Sequence, residues 1–217
     1  MCSHYKSVSD TARLKTHFDI DLPSELSRRD VWPGYMSTFI RRHPHADVGD
    51  DAVPEREALI GSFGLIPHWS KDDKIARHTY NARSETVDEK PGFRDAWKRG
   101  QHCIIPVQSF FEPDWRSGKA VPTRIARVDG KPMGVAGLWE QWAKDGEAIT
   151  SFTLLTVNAN SHALMNRYGQ NGNEKRMPAI LNEGAWSAWL SAPLDKAREF
   201  MRAYPANLLL ANPVQKK

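Results

Sequence analysis

The sequence predicts a single α+β domain built on an antiparallel sheet. Three observations carry this. Short apolar or alternating segments recur with turn signals between them, helical patterns are few and brief, and no strand–helix–strand alternation runs through the chain. A length of 217 residues suits one domain, and no stretch has the composition of a linker, so residues 1–217 are read as one unit.

The elements follow in order. Residues 10–18 read as a short helix, with Asp10 as N-cap and Leu14 and Phe18 on one face at i, i+4. Residues 21–56 are rich in Pro, Arg, His and Asp and read as surface loops around a strand at 36–41. Residues 59–66 form an apolar run broken by Gly61 and Gly64, more strand than helix, ended by Pro67-His68-Trp69. Residues 93–98 suit a helical turn. Residues 102–107 read as a buried strand, with Phe110 and Phe111 continuing the apolar packing. Strands follow at 121–128, 133–142 and 151–158, with Gly118 and Gly130 marking turns. A last strand is expected at 177–181. Helical patterns at 185–190 and 195–203 are separated by Pro193, and 204–217 reads as a C-terminal tail.

Composition excludes several classes. Hydrophobic content of 40% and charged content of 26% are those of a globular chain, not of a disordered or collagenous one. No apolar run approaches the ~20 residues of a spanning helix, and the first residues lack the apolar core of a signal peptide. Two cysteines exclude a disulfide framework and a multi-cysteine zinc site, which points to a reducing cytoplasm. A net charge of +4 permits nucleic-acid binding without demanding it.

Several residues could carry chemistry. If Met1 is removed, Cys2 holds an α-amine and a thiol on neighbouring carbons. Their reference pKa values, about 7.7–8.0 and 8.5, leave both partly reactive near neutrality. An aldehyde meeting the pair can form an imine with the amine, and the thiol can then close a five-membered thiazolidine in an effectively unimolecular step. Taken alone, Cys2 also reads as an incidental cysteine. Asn81-Ala82-Arg83-Ser84-Glu85-Thr86 could grip a phosphate and orient a sugar hydroxyl, or form a hydrogen-bonded turn. Glu112, directly after Phe110-Phe111, is a candidate for a raised pKa and acid/base work, or the solvated end of a strand. Trp69 could stack an unpaired base, or serve as one more packed aromatic among eight tryptophans. Glu174-Lys175-Arg176 reads as basic residues before a strand or as a solvated charge cluster. His162 reads by default as a satisfied histidine, and Cys103 as a buried, inert thiol.

In this order, Met-Cys, N-A-R-x-E-T, C-I-I-P-x-x-x-F-F-E and R-M-P before an apolar strand resemble the SRAP (SOS response-associated peptidase) domain, over nearly the whole chain. The resemblance implies an antiparallel, barrel-like sheet with flanking short helices. It implies an abasic-site processing protein that crosslinks to single-stranded DNA, with Cys2 as nucleophile, Asn81 holding the abasic sugar, Arg83 on a DNA phosphate, Glu112 assisting proton transfer and Trp69 where bases splay. Arg176, Pro33 and Lys90 are expected as further DNA contacts. A monomer is expected, in the cytoplasm and nucleoid-associated on damaged DNA, with no cofactor or metal. Two departures stand out. Members usually read Cys-Gly-Arg where this chain has Cys2-Ser3-His4, so a phosphate-binding Arg is missing. The family's histidine before R-M-P is also absent, its place falling at Gly169, with His162 as a possible stand-in for its acid/base role. The alternatives are a non-catalytic single-strand-binding module and a cysteine autopeptidase that removes Met1.

Overall fold

The computed structural model describes residues 2–21, 29–170 and 172–214. Met1, the subject of the removal step above, lies outside them, as does part of the segment read as loops. The strands are Tyr5–Ser7 (β1), Asp30–Val31 (β2), Met36–Arg42 (β3), Arg56–Phe63 (β4), Asn81–Arg83 (β5), His102–Asp114 (β6), Val121–Arg127 (β7), Met133–Lys144 (β8), Glu147–Asn158 (β9), Arg176–Pro178 (β10), Ile180–Leu181 (β11) and Leu209–Pro213 (β12). The helices are Thr11–Phe18 (α1), Arg94–Lys98 (α2), Trp186–Leu190 (α3) and Leu194–Ala197 (α4).

Five strands close a ring. β8 pairs with β9, β9 with β4, β4 with β3, β3 with β6, and β6 returns to β8. The barrel is mixed, because β4 runs parallel to β9 while the other pairings are antiparallel. Phe39, Phe63, Phe152, Ile105 and Leu138 are fully buried in the core, and the phenyl rings of Phe63 and Phe152 stack at 5.6 Å. Closure is tight at Gly137, where a Cβ would lie 2.3 Å from Ile105 Cδ1 and 2.4 Å from the Thr153 carbonyl. Only glycine lets β8 sit that close to both neighbours.

α1 forms as its sequence dictates. The Asp10 side chain accepts from the Arg13 N–H, and Leu14 and Phe18 are buried. α3 docks on β6 through Trp189, whose indole donates to the Cys103 carbonyl at 2.8 Å and stacks on His102 at 4.1 Å. Burial lowers the His102 pKa to about 4.

Besides the short strands β1, β2 and β5, which the sequence does not announce, and a helix that ends as a 3-10 turn at Phe200 where the pattern runs to 203, four features of the sheet differ from the sequence reading. β6 is one strand of thirteen residues, because beyond Val107 it pairs with β1 and β7 rather than with β8. β8 and β9 extend to a two-residue turn, Asp145-Gly146, both with positive φ, the geometry that a right-twisted hairpin prefers. The expected strand at 177–181 is two, since Ala179 switches partner. Its N–H donates to Leu155 of β9, while its carbonyl accepts from Ala136 of β8. Within the expected tail, β12 pairs antiparallel with β7.

Candidate active site

The N-terminal segment is placed by β6. β1 pairs antiparallel with it, Tyr5 opposite Phe110, and the pairing continues ahead of β1, where the Phe111 N–H donates to the His4 carbonyl at 3.0 Å. Cys2 thereby arrives beside Glu112. It is 1% exposed, and its thiol donates to the same His4 carbonyl, 3.6 Å away. Burial, and then the nearby charge of Glu112, push the thiol pKa far above its ordinary value. Glu112 is itself buried, and burial raises its carboxyl above the usual carboxylate range.

Asn81 comes from β5, a short strand held parallel to β9 with Asn81 opposite Leu154. Its Nδ2 donates to the Cys2 carbonyl at 2.8 Å. Its Oδ1 is buried and has no hydrogen-bond partner among the described residues, so an acceptor stands ready beside Cys2. Three chain segments thus bring a thiol, a protonatable carboxyl and an open amide oxygen together.

Two residues along β5, Arg83 is half-exposed and pairs with Glu174 Oε2 at 2.7 Å. Glu174 Oε1 bonds Arg176 at 2.9 Å and accepts from Asn158 at 2.7 Å. Arg176, with a side chain only 2% exposed, also meets both oxygens of Glu85 and the Thr156 carbonyl. Burial is the largest single influence on Glu85 and on Glu174 and acts to raise both, but the Arg176 hydrogen bonds, the Arg176 charge and hydrogen bonds from Asn158 together outweigh it, and both carboxyls end lowered.

The family model described as SOS response associated peptidase (SRAP) matches residues 1–217. The chain belongs to the SRAP family. Among curated relatives, it is similar to the abasic site processing protein YoqW of Bacillus subtilis, 37% identical over 59% of this chain and 55% of the relative. It is also similar to the abasic site processing protein HMCES of Gallus gallus, 27% identical over 80% of this chain and 56% of the relative. The chain therefore spans about half the length of these curated relatives. A crystal structure of a Bordetella bronchiseptica protein is similar over 99% of this chain and 100% of its own, with 45% identity and a TM-score of 0.89. One from Bacteroides thetaiotaomicron, at 23% identity and a TM-score of 0.76 over 99% of this chain and 92% of its own, shares the fold.

Of the residues to which the SRAP resemblance assigns roles, Cys2, Asn81 and Glu112 converge, with Arg83 at the end of the strand that carries Asn81. Arg176 is enclosed and committed to carboxylates, forming wall rather than open surface. Trp69 is 46% exposed. Its loop is anchored by Trp142, whose indole donates to the Ser70 carbonyl at 2.8 Å, and by Arg99, which reaches His68 and the buried Glu140. Pro33 lies half-buried in the turn after β2, and Lys90 is exposed.

His162 does not offer the free nitrogen that a stand-in acid needs. Its Nδ1 accepts from the Leu164 and Met165 N–H groups, so the proton sits on Nε2, which donates to the Tyr204 carbonyl at 2.7 Å. Gly169, where the SRAP histidine is missing, donates its N–H to the Pro113 carbonyl at 2.8 Å, against the residue after Glu112. A Cβ there would meet nothing within 4 Å, but φ is +81°, a conformation that costs any L side chain strain.

Sequence reasoning missed a second feature beside Cys2. The His4 ring stacks between Trp32 at 4.1 Å and Phe111 at 4.2 Å, and its Nε2 donates to Asp30 Oδ1 at 2.8 Å. The only signal in the sequence was a histidine where SRAP members carry arginine.

Proposed function

We propose that this chain captures ring-opened abasic sites in single-stranded DNA as a covalent thiazolidine at Cys2. The observation that supports it most directly is the convergence of Cys2, Asn81 and Glu112. The relatives named as abasic site processing proteins supply the substrate class.

The chemistry follows from the environment. With Met1 removed, the Cys2 amine attacks the C1′ aldehyde of the opened sugar. A carbinolamine forms, takes a proton on its hydroxyl and loses water to give the imine. Glu112 is suited to this, since a carboxyl of raised pKa can accept a proton from the amine and return it to the departing hydroxyl. The buried thiol stays protonated meanwhile, which sets the order, amine first and thiol second. The S–H then adds across C=N. A C–S bond forms, the thiol proton passes to nitrogen, and the ring closes with no further reactant. The Asn81 Oδ1 can accept a hydrogen bond from a sugar hydroxyl while Nδ2 keeps the Cys2 backbone fixed.

The same raised thiol pKa weighs against a cysteine autopeptidase, which needs a thiolate nucleophile. The test is denaturing electrophoresis with single-stranded DNA carrying an abasic site, followed by intact mass and peptide mapping. A shifted band mapping to Cys2 is expected. A wild-type chain with processed N-terminus that gives no heat-stable adduct overturns the proposal.

A further inference from the structure

We propose that the Trp32–His4–Phe111 stack is a preformed platform for one nucleobase, that of the nucleotide flanking the lesion. The proposal rests on the DNA reading above and adds a subsite to it.

The stack is a product of register. β2 pairs with β1 with Val31 opposite Tyr5, and β1 pairs with β6 with Tyr5 opposite Phe110. One residue earlier along the chain, His4 falls between Trp32 on one side and Phe111 on the other. Neighbouring strands lie about 4.7–4.9 Å apart, so three planar side chains in one row can stack. The interplanar angles are 8° and 9°. The Asp30 carboxylate holds the His4 ring by its edge, so the middle ring is fixed before any ligand arrives. Across β6, Phe111 stands opposite Arg124 of β7.

Among the described residues, His4 is the one ring stacked on Trp32, and the outer end of the row carries none. β2 is the last strand on its side of the sheet, so among the described residues no further strand continues the row beyond Trp32, which is 44% exposed. A single planar ring stacked on one side and open on the other accepts one flat group. A rigid platform also leaves little side-chain freedom to lose on binding. The platform is joined to the site by one atom, the His4 carbonyl oxygen, which accepts both the Phe111 N–H and the Cys2 thiol. Cys2 and His4 are two residues apart, at most about 7 Å of extended chain, and the Trp32 ring lies 4.1 Å beyond that of His4, so an occupant stacked outside Trp32 is a neighbour along the strand of whatever Cys2 holds. In single-stranded DNA that neighbour carries a base.

The experiment uses the full chain and oligonucleotides with a tetrahydrofuran residue, a baseless sugar that cannot open to an aldehyde and so reports binding alone. The nucleotide on the 5′ side, or that on the 3′ side, is either adenine or a second baseless unit, and affinity is read by fluorescence anisotropy. For wild type, removing the base on one side is expected to weaken binding about 5- to 150-fold, the usual range for one aromatic stack. Trp32→Ala should bind the adenine-flanked strand as weakly as wild type binds the baseless-flanked one, and should no longer respond to the flank. Trp32→Phe should keep most of the response, which a general loss of folding would not allow. Equal wild-type affinity with and without the flanking base on both sides overturns the platform, as does a Trp32→Ala chain that keeps its flank dependence. Crosslinking to a true abasic site is scored separately. Its absence would overturn the proposed function, while the flank series would still decide the platform.

Discussion

Arg83→Ala separates the charge that meets DNA from the charge that holds the fold. A guanidinium–phosphate contact contributes about 1.5–3 kcal/mol. In the free protein, however, Arg83 already pairs with Glu174 at 2.7 Å, with side chains 51% and 29% exposed. Such a solvent-screened pair is worth only about 0.2–1 kcal/mol, and DNA must displace it. The net loss on substitution is therefore about 0.5–2.8 kcal/mol, roughly a 2- to 100-fold rise in Kd. Anisotropy with tetrahydrofuran-containing single strands across a salt series reads this directly, and the log–log slope should become shallower by about 0.7, one phosphate on a single strand. Glu174→Gln should act in the opposite direction, tightening binding up to about five-fold because it releases Arg83. It should also lower the Tm, since Arg176 loses one of its two carboxylate partners in a buried setting. An unaltered salt slope for Arg83→Ala, or weaker binding by Glu174→Gln, would refute the reasoning.

Cys2→Ala should abolish the covalent product while leaving affinity within a few-fold, and Cys2→Ser should give only a labile imine that borohydride traps; a heat-stable adduct from the serine variant on a denaturing gel would sink the thiazolidine route. Glu112→Gln should slow crosslinking by about 10²–10⁴-fold in single-turnover assays. It should also change the pH dependence of stability. Burial raises the folded carboxyl above its unfolded value of 4.5, so the folded state binds more protons and wild-type stability falls as pH rises from there until the folded pKa is passed. The Tm of Glu112→Gln should thus gain on wild type over that window, and a constant difference across a scanning fluorimetry series would contradict it. His162→Ala should cost about 2–3 kcal/mol by removing three backbone hydrogen bonds, yet leave the crosslinking rate per folded molecule unchanged; a rate loss at full folding would restore it as an acid. Gly169→His should recover some rate only after its strain is subtracted, which a Gly169→Ala control measures by Tm and by single-turnover rate; a histidine variant no faster than the alanine one would discount that position.

Elements whose signal is local were legible. α1 announces itself through Asp10 and the Leu14–Phe18 face, and both the cap and the burial are present. What failed depended on partners distant in sequence. Asn81–Arg83 is too short to declare itself, being a strand only because β9 lies alongside. Leu209–Pro213 shows no alternation, and its pairing with β7 alone makes it a strand. The Asp145-Gly146 turn was a local signal that went unread. At the site, Cys2, Asn81 and Glu112 could be named from motifs, but their convergence is tertiary. A lone histidine such as His162 cannot reveal which nitrogen carries its proton until its neighbours are known. The pairing of Arg83 with Glu174 joins β5 to the segment that leads into β10, two elements that both lie against β9, and nothing in either segment foretells it.

The depth at which Cys2 sits bears on how long the protein stays usable. Sulfur oxidation to sulfenic acid and beyond follows the thiolate fraction and the access of oxidant. A thiol kept protonated and 1% exposed offers little of either. The unfolded chain has no such protection, because its thiol returns to an ordinary pKa in open water. Folding therefore works as chemical storage. Small oxidants that would disarm an exposed N-terminal cysteine meet a quiet one, and the sulfur is held in reserve until an aldehyde has first been fixed on the neighbouring nitrogen.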